Sequence, residues 1–178
     1  MERLSNNYHV AMSTNGEPAR PDGPPDSVAF LLAQLGAHAT KLFAERVGEL
    51  ELTPAQAGLL RSVAGRPGRS QREVAAELGM PPSRFVPFAD ELEQRGLIER
   101  RKNPADRRLH ALHLTDAGQS LLAGLREVGM AHEAQICADL SPGERGQLIG
   151  LLRRVADHQG LTPGVHPGYR SVRPDHAR

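Results

Sequence analysis

The chain has 178 residues, 39% of them hydrophobic, which suits one modest domain with appendages. A net charge of +1 excludes binding of polyanions through whole-molecule charge, so any nucleic-acid surface must be a local cluster. One cysteine excludes an internal disulfide framework, no apolar run approaches the roughly 20 residues that span a bilayer, and the N-terminus lacks an apolar signal core; the expectation is a soluble cytoplasmic protein with no membrane partner. Aromatics make up only 3% and tryptophan is absent, so leucine, valine and alanine must fill the core.

Residues 1–25 hold few large apolar groups, and Pro18 to Pro25 can sustain neither helix nor strand, so the composition predicts a disordered tail. Met12 stands as an alternative initiation residue. From about Asp26 to Val47, the apolar residues Val28, Leu31, Leu32, Leu35, Ala39, Leu42 and Phe43 follow helical spacing. That helix is longer than a small core needs, so it either packs across the domain or pairs with a second subunit. Thr53, Pro54 and Gln56 form a capping box with proline at the first helical position, and Ser70 with Glu73 forms another. The helices they start carry Leu59, Leu60 and Val63, then Val74, Ala75 and Leu78, as buried stripes.

After the turn at Met80–Pro82, a third helix reaches about Arg95 with Phe85, Phe88, Ala89 and Leu92 on one side, and Gly96 ends it. Leu97 to Arg100 and Arg107 to Leu114 read as two strands, joined by a basic connection with turn chemistry at Asn103-Pro104. Thr115 caps a long helix expected to reach about Asp139, and Ser141 with Glu144 caps a last one that carries Leu148, Leu151, Leu152 and Val155. Residues 161–178, rich in proline and glycine, are expected to be an irregular C-terminal tail. Three short helices followed by two strands make a helix-turn-helix with a β-hairpin wing, the plan of a DNA-binding regulator.

Leu52 to Thr115 resembles the MarR family of bacterial transcription regulators. The resemblance is carried by LTPAQ, QREVAAELG, the helix ending in DELEQRGLIERR, NPADRR and LHLTDAG, in that order and spacing. With its flanking helices it extends over about residues 27–160. It implies a mainly α winged helix-turn-helix at 53–115 within a domain spanning 26–160, and a homodimer joined through terminal helices at 26–48 and 116–160. It also implies double-stranded DNA with a pseudo-palindromic operator as partner, and repression relieved by a small-molecule effector.

The family's wing Asp-x-Arg falls on Asp106 and Arg108. An arginine gains from the negative potential of a narrow minor groove, and a nearby carboxylate can hold it by charge-assisted hydrogen bonds. Lys102 and Arg107 join this basic set. In the recognition helix, Ser83 and Arg84 are the polar readers. Val86 and Pro87 depart from the family pattern, which places a hydroxyl or basic group there; Val86 offers apolar contact to thymine methyls instead. Pro87 removes one helical hydrogen bond and crowds the Ser83 carbonyl, so the expectation is a helix that starts late, near Ser83, or bends. Arg69, Ser70, Gln71 and Arg72 are weaker candidates for phosphate contact at a helix start.

Cys137 has no basic neighbour in sequence to lower its pKa and reads as an inert, buried thiol. His110 and His113 are three apart on a strand, so they point to opposite faces and cannot easily share an ion, and no His-x3-His pair exists; no metal and no cofactor is expected. Asp90, Glu91 and Glu93 read as a charged helix face. No nucleophile elbow, phosphate loop or metalloprotease motif is present, which argues against an enzyme, and a histidine-based metalloenzyme would require bound metal. The competing function is a winged-helix protein–protein module that has lost operator readout, favoured by Val86, Pro87 and the low net charge.

Overall fold

A computed structural model of the chain describes residues 27–102 and 110–170. In chain order it contains α1 (Val28–Gly48), α2 (Pro54–Gly65), α3 (Gln71–Glu77), α4 (Pro82–Gln94), β1 (Ile98–Lys102), β2 (His110–Leu114), α5 (Asp116–Ile136), α6 (Pro142–His158) and a 3-10 turn at Pro167–Arg170. The described residues fall into two units, 27–38 and 39–170. In the first, Val28, Phe30, Leu31, Leu32 and Leu35 all stand open.

The second unit is built around α2. All three capping boxes form: Thr53, Ser70 and Ser141 each accept from the backbone N–H three residues on, and Gln56, Glu73 and Glu144 each reach back to the cap. These reciprocal bonds satisfy donors that every helix start leaves without a partner. Leu59, Leu60, Val63, Val74, Phe85, Phe88, Leu92, Ile98 and Leu112 form one core beneath α2, α3, α4 and the hairpin. The hairpin is antiparallel, with Ile98 opposite Leu114 and Lys102 opposite His110. The loop after α2 extends it: Leu112 N–H donates to the Arg69 carbonyl (2.8 Å), and Gly68 N–H donates to the Leu112 carbonyl (3.1 Å).

Thr115 locks α5 to the hairpin base. Its hydroxyl donates to the Gly96 carbonyl (2.6 Å) and accepts from Gly118 N–H (3.0 Å). A Cβ at Gly118 would fall 2.0 Å from the Leu97 carbonyl oxygen, so only glycine lets the two backbones approach this closely.

Helix α5 ends at Ile136 with Cys137 as its C-cap, three residues before the expected Asp139. Helix α6 buries none of its residues, and Leu148, Ile149, Leu151, Leu152 and Val155 are open. Of the stretch expected to be an irregular tail, residues 161–170 are described, and 161–166 form neither helix nor strand. Pro167–Arg170 forms the 3-10 turn, and Tyr169 enters the core. Composition hid this because one buried aromatic ring outweighs many small flexible residues. Among the described residues, no helix is long and apolar enough to cross a membrane.

Candidate nucleic-acid interface

Helix α4 is the centre of the site. Pro81, extended at φ −60° and ψ 143°, is its N-cap, and Pro82 occupies its first position. The Pro81 carbonyl accepts from both Arg84 N–H (2.9 Å) and Phe85 N–H (3.0 Å), which closes the first turn without a side-chain cap. Phe85, Phe88, Ala89 and Leu92 are buried. On the outer side, Ser83, Val86 and Pro87 are exposed at helical spacing, with Arg84 half-buried beside them.

The helix begins at Pro82, one residue ahead of the late start expected from Pro87, and continues through Pro87 to Gln94. An internal proline costs about 3 kcal/mol or more. Burying Phe85, Phe88 and Leu92, at about 1.5–3 kcal/mol each, outweighs that cost and keeps the segment helical.

Arg100, on β1, braces α4 from beneath. Its guanidinium donates to Asp90 and Glu93, both on α4, while its own side chain is only 18% exposed. The Gln71 carboxamide oxygen, in the orientation its surrounding donors require, accepts from Arg100 Nη2 (3.0 Å). One residue of the hairpin thus joins α3 to α4. Asp90 and Glu93, read from sequence as a solvated charged face, are the other half of this clamp. Their spacing of three residues was the available signal.

A second network holds the start of α3. Arg69 is 14% exposed; it pairs with Glu77 and donates through Nη2 to the Ser62 carbonyl (2.6 Å) and hydroxyl (3.0 Å). Arg66 reaches the same Glu77 carboxylate at 2.6 Å. Burial pushes the Glu77 carboxyl up, but hydrogen bonds from Ser62 and Arg69 and the charges of Arg69 and Arg66 outweigh it and hold the group below its ordinary value. Ser70 is buried in its capping box, and its hydroxyl hydrogen bond is the main cause that lowers the Glu73 carboxyl.

The structure therefore sorts the sequence-derived candidates. Ser83, Val86 and Pro87, with Arg84, share one region of α4; Arg72 stands exposed on the first turn of α3, and Lys102 is exposed at the end of β1. Arg69, Ser70 and Gln71 are engaged with Glu77 and Ser62, Glu73, and Arg100 respectively. Asp106, Arg107 and Arg108 lie outside the described residues. Arg100 and Glu77 were missed, because their partners are brought together by folding.

A cavity of about 330 Å³ is lined by Phe43, Ala64, Gly65, Leu122, Leu125 and Gly129, together with Arg61 and Arg126. The Phe43 ring lies 5.5 Å from the His132 ring, centroid to centroid. Cys137 is 9% exposed; burial, then Glu133, pushes its thiol up. Among the described residues, no three histidine, cysteine or carboxylate side chains are grouped to hold a metal ion.

A helix-turn-helix whose second helix has an open outer face, followed by a two-stranded hairpin, defines a winged helix-turn-helix protein. Residues 50–109 match the family model described as the MarR family. Over 156 residues the chain is 35% identical to a Thauera aromatica protein assigned to transcriptional regulation of the hcr operon; the match spans 83% of this chain and 94% of that one. The chain belongs to the MarR family of transcriptional regulators. Its fold is similar to that of the transcriptional repressor CouR bound to a 23-mer DNA duplex, at 34% identity and a TM-score of 0.66, over 74% of this chain and 93% of that one. It also shares the fold of wild-type MarR from E. coli in its apo form, at 23% identity and a TM-score of 0.64, over 74% of this chain and 98% of that one.

Proposed function

We propose that this MarR-family regulator is a cytoplasmic homodimeric repressor that binds a pseudo-palindromic operator and leaves it when a small-molecule effector occupies the cavity. The observation that carries the reading is the outer face of α4, open at Ser83, Val86 and Pro87 while Arg100 clamps the same helix from beneath. Ser83 and Arg84 read base edges in the major groove, Val86 and Pro87 meet thymine methyls, and Lys102, Arg107 and Arg108, the last oriented by Asp106, serve the minor groove and backbone. Arg72 contacts phosphate, and Arg69, Ser70 and Gln71 act by holding α3 in place. CouR, at 34% identity, carries DNA on the same fold, which supports this reading. The uncovered apolar residues of α6, and separately those of α1, support a dimer. Apolar walls with Arg61 and Arg126 suit an anionic, partly apolar effector.

The test is a titration of Arg84→Ala and Arg108→Ala against an operator duplex, recovered by selection of bound genomic fragments, and a random duplex at several salt concentrations. Arg84→Ala lowers the operator-to-random ratio, by about 1–3 kcal/mol at one operator position. Arg108→Ala weakens both complexes and flattens the log–log salt slope by about 0.9. A protein that recovers no preferred fragment is the protein-binding module that exposed Val86 and Pro87 also fit.

A further inference from the structure

The segment from Leu161 to Arg170 crosses from the end of α6 to the flank of α2. Val165 packs half-buried against the core, and Tyr169 is 7% exposed within it. Arg61, on α2, donates through Nη2 to the Gly164 carbonyl (3.3 Å), and Tyr169 Oη donates to the Pro54 carbonyl (3.5 Å). The turn is closed from within: Tyr169 N–H donates to the His166 carbonyl (3.0 Å), and the two rings lie 5.8 Å apart. Under the tyrosine is Gly58. A Cβ there would fall 2.4 Å from Tyr169 Oη and 2.6 Å from Cζ. Gly58 stands in the middle of α2, where glycine is the least favourable residue after proline. Its absence of a side chain makes the slot into which the tyrosine fits.

We propose that Leu161 to Arg170 is a strap that fixes the DNA-reading lobe relative to α6, with Tyr169 and Gly58 as positioning residues for binding to two half-sites at once. The inference rests on the dimeric operator reading above. Two recognition helices meet successive major grooves only when they stand about 34–36 Å apart. A lobe free to swing about α6 loses that freedom when the second half-site is engaged, and the loss lowers affinity. Helix α2 carries the lobe, since it packs against α3, α4 and β2. A strap that ties α2 to the end of α6 removes the swing beforehand. It acts on the second binding event and leaves the contacts of a single lobe unchanged.

The test uses the full chain with Tyr169→Ala, Tyr169→Phe and Gly58→Ala, and two duplexes: the selected operator and a version with one half-site scrambled. Gly58→Ala improves the helix propensity of α2 while evicting the ring, so it separates loss of the strap from loss of folding. Gly58→Ala and Tyr169→Ala are expected to lose about tenfold in affinity for the two-site duplex and to bind the single-site duplex within about twofold of wild type. Tyr169→Phe, which keeps the ring in its slot, behaves as wild type. Unchanged two-site affinity in Gly58→Ala overturns the inference, as does an equal loss on both duplexes, which marks general damage to the lobe. If Tyr169→Ala fails to fold, Gly58→Ala decides. Equal binding of both duplexes by the wild type instead removes the dimeric operator reading, and this inference with it.

Discussion

Arg100→Met removes the clamp beneath α4 while keeping an unbranched apolar stem. The Asp90 and Glu93 side chains are 47% and 38% exposed, so water screens both ion pairs and each is worth only about 0.5 kcal/mol, within the range of exposed pairs. The hydrogen bond to the Gln71 carboxamide adds about 1 kcal/mol. The substitution should therefore cost about 2 kcal/mol, or about 4–8 °C in melting temperature for a chain of this size. Against a domain stability of about 5–15 kcal/mol, the protein stays folded. Any effect on DNA then reports the placement of α4, because Arg100 touches α3 and α4 and is itself largely covered. The expected result is a roughly tenfold fall in the operator-to-random ratio, about 1.4 kcal/mol, with binding to random duplex little changed. Urea melts give the stability, and a double-mutant cycle with Asp90→Asn gives the coupling. A variant within about 0.5 kcal/mol of wild type, with no coupling to Asp90, would refute the reasoning.

Cys137→Ser should leave both DNA binding and its response to mild peroxide unchanged, because burial and the Glu133 carboxylate disfavour the reactive thiolate; loss of DNA binding on oxidation of wild type alone would show a sensor thiol. Glu77 carries a pH dependence of defined sign. Its carboxyl is held below the ordinary value of 4.5 in the folded chain, so its contribution is present above that value and is lost as pH falls through the folded-state pKa. The stability difference between wild type and Glu77→Gln should be largest near neutral pH and close at acid pH. A difference that widens on acidification would contradict this assignment.

Much of this molecule was legible in local sequence. Thr53 with Gln56, Ser70 with Glu73, and Ser141 with Glu144 mark helix starts because each box closes over three residues, and the structure forms all three. The stripe of Phe85, Phe88, Ala89 and Leu92 orients α4 because helical periodicity alone sets which side is apolar, and so leaves Ser83, Val86 and Pro87 outside. Other features depend on partners that sequence does not bring near. Arg69 read as a phosphate-contact candidate, but folding placed Glu77 and Ser62 around it and turned it inward. Gln71 read as a phosphate-contact candidate at a helix start, but the hairpin brought Arg100 to it. Tyr169 lay in a stretch with the composition of a loose tail, yet its hydroxyl meets a carbonyl 115 positions earlier, over a glycine whose lack of a side chain has no meaning until the ring is there. Caps and periodic faces are settled within one or two turns of chain. Which charges pair, and which aromatic ring finds a slot, is settled only when segments far apart in sequence come into contact.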